Sequence, residues 1–102
     1  MSAPEEIKHK TTVQQCDDGW TEIVYYKTAI VRFNNETIVL NTGGYKTATT
    51  QSRMNFVSRK FNLGYLVRRP KQNWTVEYEG QTVAFDTEAV RLNRVTGEVT
   101  SQ

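Results

Sequence analysis

The chain has one cysteine, one histidine and two prolines in 102 residues. A lone Cys16 excludes an intrachain disulfide and a cysteine-rich zinc site, so a reducing, intracellular setting is expected. His9 lies near the start, and no other imidazole is present to act as the base that a serine or cysteine nucleophile needs. Acid pairs are scarce too: Glu77 and Glu79 share one strand face and read as solvated exterior. Nothing in the pattern calls for a cofactor or a metal, and the chain is expected to act by binding, not as an enzyme. No apolar run approaches the ~20 residues that cross a bilayer. The start, Met-Ser-Ala-Pro-Glu-Glu, is acidic and lacks an apolar core, so no secretory signal and no membrane partner are expected. For the same reason the glycosylation-like Asn35-Glu36-Thr37 and Asn73-Trp74-Thr75 read as chance matches.

What the chain does have is length for one domain, enough aromatics to fill a modest core, and a segregated charge. Residues 1–26 carry five acids and two lysines, and residues 72–102 carry five acids and two arginines. Between them, residues 27–71 hold nine cations against Glu36 alone. A basic block between acidic flanks is a statement about partners and not about fold.

Taken in order, residues 1–19 show no sustained period and end in the turn signal Asp17-Asp18-Gly19. They read as an extended or flexible N-terminal arm with a short strand near residues 11–15. Residues 21–33 are rich in β-branched and aromatic side chains and read as two runs or one long, bent strand. Asn34-Asn35 suggests a type I′ turn, because asparagine tolerates the positive φ such a turn requires. The return strand covers residues 37–42. Alternation places Ala29, Val31 and Phe33 on one face with Ile38 and Leu40, and Ile30 and Val39 on the other. After Gly43-Gly44 a threonine among 47, 49 and 50 caps a helix over residues 50–62, with Met54, Val57 and Phe61 on its apolar stripe. Gly64 is the expected left-handed residue after it. Residues 65–69, 74–78 and 81–86 read as further strands, with Trp74, Val76, Tyr78, Val83 and Phe85 inward. The segment from Thr87 could start a short helix or form another strand.

The fold class that follows is α+β: an antiparallel sheet of about five strands with one helix packed on a face, in the order β-β-(β)-α-β-β-β. Residues 20–86 form the single domain, flanked by the arm 1–19 and a partly ordered tail 87–102.

The run Asn41-Thr42-Gly43-Gly44-Tyr45-Lys46-Thr47-Ala48-Thr49-Thr50-Gln51-Ser52-Arg53-Met54-Asn55 has adjacent glycines, repeated threonines, two cations and no acid. It lacks the Walker spacing of a nucleotide-hydrolysing loop, though backbone N–H groups at a helix start can face an anion. This run resembles the signature of small, uncharacterised proteins recurring in tailed bacteriophage genomes. There an aromatic follows the glycines, a Thr-x-Thr-Thr-x-x-Arg-Met-Asn run comes next, and a strand pair with a tryptophan comes later. The similar part covers residues 27–85, with 1–26 and 87–102 outside it. The resemblance implies a phage accessory protein acting in the host cytoplasm.

The basic block supplies the candidate site: Tyr45, Lys46, Arg53, Asn55, Arg59, Lys60, Arg68 and Arg69, on the helix, its entrance and the strand that follows. Gathered on one face they would neutralise phosphates, with Tyr45, Tyr65 and Trp74 offering stacking surfaces. Nucleic acid is the first expected partner. An acidic host-protein surface is the alternative, with this chain as inhibitor or modulator, and the bland reading is a solvated helix face. Tyr45, Lys46, Arg53 and Asn55 have no evident folding role. An exposed edge strand could also mediate self-association into a homodimer.

Overall fold

In the computed structural model, which describes residues 5–101, the chain starts with two polar strands, β1 (Glu5–Lys8) and β2 (Thr11–Gln15). β3 (Thr21–Tyr25), β4 (Thr28–Phe33) and β5 (Thr37–Asn41) follow, and then the helix α1 (Ala48–Phe61). β6 (Leu66–Arg68), β7 (Thr75–Tyr78), β8 (Gln81–Ala84), β9 (Ala89–Asn93) and β10 (Val99–Ser101) complete the order. The strands divide into a seven-stranded sheet, β1-β2-β3-β4-β5-β9-β10, and a three-stranded one, β6-β7-β8, antiparallel throughout. The α+β class stands. The expected single sheet of about five strands becomes, among the described residues, ten strands in two sheets.

Most of the extra strands come from the segments read as arm and tail. β1 and β2 extend the large sheet past β3, and β9 is hydrogen-bonded between β5 and β10. Residues 1–4 and Gln102 lie outside the described residues. β2 carries Val13 as its single apolar residue, so its pairing rests on backbone bonds and on the fully buried Thr11.

The run 21–33 is a hairpin, not one bent strand. It turns at Tyr26 and Lys27, where Tyr26 takes φ +56°. The register of β3 on β4 jumps from Ile23↔Val31 to Val24↔Ala29, which leaves Ile30 as the extra residue of a β-bulge. Neighbours on a regular strand face opposite ways, yet Ile30 and Val31 are both buried. The bulge resets the alternation, so Ile30 packs in the core and only Val39 stays on the outer face. The Asn34 turn also differs from expectation. Neither Asn34 nor Asn35 has positive φ. Instead Asn34 Oδ1 accepts from the N–H groups of Glu36 and Thr37 at 2.9 and 2.8 Å, an Asx turn.

The inner face of the large sheet (Ile23, Val31, Ile38, Leu40, Val90, Leu92), the helical stripe (Met54, Val57) and the small sheet (Val67, Val76, Tyr78) form one core cluster. Trp74 and Phe85 meet edge to face within it at 5.9 Å. The outer face of the large sheet is polar, with Arg32 against the Trp20 ring and its Nε 3.0 Å from Glu22 Oε2. That contact is ionic only, since Arg32 Nε makes no hydrogen bond.

Thr47 caps α1, its hydroxyl accepting from Thr50 N–H. The helix ends at Asn62, which takes the left-handed conformation expected of Gly64, whose own φ is also positive. A polar seam then ties α1 to the edge of the small sheet. Asn55 donates Nδ2–H to Val67 O at 2.9 Å and accepts Val67 N–H at 2.8 Å, as a neighbouring strand would. Gln51 also donates to Val67 O, and Ser58 exchanges two bonds with the Tyr65 backbone. Tyr65 donates its hydroxyl to Met54 O at 2.6 Å, and burial pushes that phenol well above its ordinary pKa.

Candidate functional site

The glycine run after β5 forms a loop that folds back on the β3–β4 turn. Gly43 and Gly44 both have positive φ. A Cβ on Gly43 would lie 2.8 Å from Thr28 Cγ2, so only glycine permits this approach. Asn41 Oδ1 and Thr42 Oγ1 accept from the N–H groups of Gly43 and Gly44, and the Thr42 N–H and hydroxyl both bond Glu88 O. Tyr45 N–H returns to Thr42 O, and Thr47 N–H to Tyr45 O, which brings the chain to the helix cap.

Loop and turn enclose a cleft of about 450 Å³. Tyr25, Tyr26, Lys27 and Thr28 wall one side, above Ile30. Thr42, Tyr45, Thr47 and Thr50 complete it. Among the described residues the large apolar side chains left exposed are Tyr26 (63%), Tyr45 (68%), Leu66 (41%) and Val95 (74%), and both tyrosines line this cleft. Tyr25 and Tyr26 meet edge to face at 4.8 Å. The first turn of α1 contains no acid to offset the positive end of the helix dipole. The Glu88 carboxylate lies beside Gly44.

Of the eight candidate site residues, Tyr45 alone lines this cleft. Lys46, though exposed, is tied to the small sheet, donating Nζ–H to Phe85 O at 2.8 Å with the Phe85 ring 5.7 Å away. Arg53 reaches across to the first hairpin: Nε donates to Thr11 Oγ1 at 3.0 Å, Nη2 to His9 O at 3.5 Å, and the guanidinium covers the Tyr25 ring. Asn55 closes the β6 edge. Three residues without an evident folding role therefore have one. Arg68 pairs with Glu77 at 3.1 Å on the outer face of the small sheet, and Arg69 donates to Gln51 and Gln72. Arg59 and Lys60 are exposed in the last turn of α1, the end opposite the cleft. The basic block is thus spread over both ends of the helix and both sheets. Tyr65 and Trp74, expected as stacking surfaces, are 4% and 5% exposed and belong to the core.

Tyr25, Tyr26 and Lys27 are not among the candidate site residues that the sequence suggests. Their signal is an aromatic pair and a lysine at a hairpin turn, hidden while residues 21–33 could pass for one strand. Among the described residues no group of three or more His, Cys, Asp or Glu side chains could hold a metal ion, and no helix is long and apolar enough to cross a membrane.

No curated protein matches the chain, and no solved structure does. The chain matches the Kyanoviridae Gp96 protein family over residues 2–100. The match takes in the first hairpin and the β9–β10 segment, which the motif alone had left outside the shared pattern. With nearly its whole length matched, the chain belongs to the Kyanoviridae Gp96 family of phage proteins.

Proposed function

We propose that this phage protein is a non-catalytic accessory factor of the host cytoplasm. In this reading it binds single-stranded nucleic acid, with a base stacked in the tyrosine-walled cleft at the start of α1. The observation that supports the reading is the pair Tyr26 and Tyr45, two largely exposed rings on one concavity. Stacking on such rings is how single strands are commonly held, at roughly 1–3 kcal/mol per base. Lys27 and the acid-free start of α1 supply positive potential for an adjacent phosphate. The cleft volume lies within the range usual for small-ligand sites, about 300–1,000 Å³.

Fluorescence anisotropy with labelled oligothymidylate at ~50 mM salt tests it. Binding should weaken steeply as salt rises. Tyr45→Ala and Tyr26→Ala should each weaken it by roughly 5- to 150-fold, matching the stacking energy, with the unfolding midpoint unchanged. No binding at ~50 mM salt, or wild-type affinity in both tyrosine variants, would sink the reading.

A contact with an acidic host-protein surface is favoured by one observation, the exposed Arg59 and Lys60 at the far end of α1. It would express itself as one stoichiometric partner captured from nuclease-treated host lysate and lost in the Arg59→Ala, Lys60→Ala double variant.

A further inference from the structure

The sheets have four edges, and three are closed or guarded. β1 carries Glu5, Glu6 and Lys8 and a register irregularity at Ile7, the usual devices against strand addition. β6 is capped by Asn55 and Gln51. β10 is three residues long and follows the exposed Glu98. β8 has none of these. Gln81, Thr82, Val83 and Ala84 are uncharged and run without a register break against β7.

The hairpin geometry says which groups β8 leaves open. Glu79 and Gly80, both at positive φ, form a two-residue turn that makes Tyr78↔Gln81 a hydrogen-bonded pair. Pairs of that kind recur at every second position, and Phe85 N–H does bond Trp74 O at 2.9 Å. Thr82 and Ala84 therefore turn their N–H and C=O groups away from β7, and among the described residues no backbone bond meets them. Set back from this edge, Leu66 of β6, Glu77 of β7 and Thr82 of β8 stand in one row across the small sheet and line a groove of about 320 Å³. Leu66 is exposed there. Residues 72–90 carry four acids and no cation, and with Glu77 held by Arg68 the acids left beside β8 are the exposed Glu79 and Asp86.

We infer that the β8 edge is a docking site for an extended, basic segment of a partner protein, added as a fourth strand to the small sheet. Thr82 and Ala84 would exchange backbone bonds with it, and the exposed Glu79 and Asp86, just beyond the two ends of β8, would face lysine or arginine. The charge selects this occupant. A second copy would set one acidic hairpin beside another, and nucleic acid would be repelled. The inference stands apart from the tyrosine cleft, which uses other residues.

The test uses the full chain and two labelled peptides of alternating residues, valine–lysine and valine–glutamate. The lysine peptide should bind and should slow amide exchange at Thr82 and Ala84. Ala84→Pro removes an outward N–H and no ladder bond, which an edge strand tolerates, and should weaken binding about tenfold or more. Thr82→Lys should weaken it too and leaves the backbone untouched, so a misfolded proline variant does not decide the matter. The inference is overturned if the lysine peptide does not bind, if both peptides bind alike, or if Thr82→Lys binds as wild type. Concentration-dependent dimers that show the same exchange protection would overturn it in favour of a second copy.

Discussion

The seam between α1 and β6 and the cleft at the start of α1 draw on the same short stretch of sequence, yet they treat their polar groups in opposite ways. At the seam, Gln51, Asn55 and Ser58 all bond the backbone from Tyr65 to Val67, and nothing is left for a partner. At the cleft, the rings of Tyr26 and Tyr45 lie open to solvent. Polar composition alone does not tell the two apart. What separates them is whether a strand edge lies opposite. A buried edge must be met by hydrogen-bonding groups, and the helix face above β6 supplies them.

The largest effect that would sharpen this contrast is loss of the fold at alkaline pH, driven from the seam. Tyr65 has a folded pKa raised by burial, so its contribution is complete below the unfolded value of about 10 and is lost as pH rises through the folded value. In an absorbance titration Tyr65 should ionise only with unfolding. A Tyr65 that ionises in the folded protein would contradict its burial. Next, Asn55→Ala should lower stability by about 1–3 kcal/mol, since it strands the Val67 N–H and leaves Val67 O to Gln51 alone, and should leave oligonucleotide affinity alone. A variant that loses affinity and keeps its denaturation midpoint would move Asn55 to the functional side. Arg53→Ala should cost about 1–2 kcal/mol by freeing the first hairpin from α1, read as faster amide exchange in β1 and β2. Smallest of all, Tyr45→Ala should change stability by no more than about 0.5 kcal/mol in the same denaturation measurement, because the ring is largely exposed.

Legibility in the sequence followed the same line. The helix stripe, its threonine cap and the clean alternation of Trp74, Val76 and Tyr78 are local signals, and the structure repeats them. The turn at Tyr26 and Lys27 has no glycine, asparagine or proline to announce it, and the bulge at Ile30 exists only in the register between two strands. The first hairpin is polar and depends on β3 for a place to pair. Tyr45 could be chosen as a site residue because nothing in the sequence needed it. Lys46, Arg53 and Asn55 looked equally idle because Phe85, Thr11 and Val67, the residues they hold, lie far along the chain or on other elements.

The placement of β9 has a consequence for how the chain is born. β1 to β5 each pair with a sequence neighbour and can form as successive hairpins while synthesis proceeds. The far side of β5 must wait for β9, with Asn41 opposite Ala89, after the helix and the whole small sheet have been made. Such a long closure slows folding. Until it happens, Ile38 and Leu40 sit on an open strand, so a nascent chain interrupted before residue 89 is expected to be sticky rather than merely shorter.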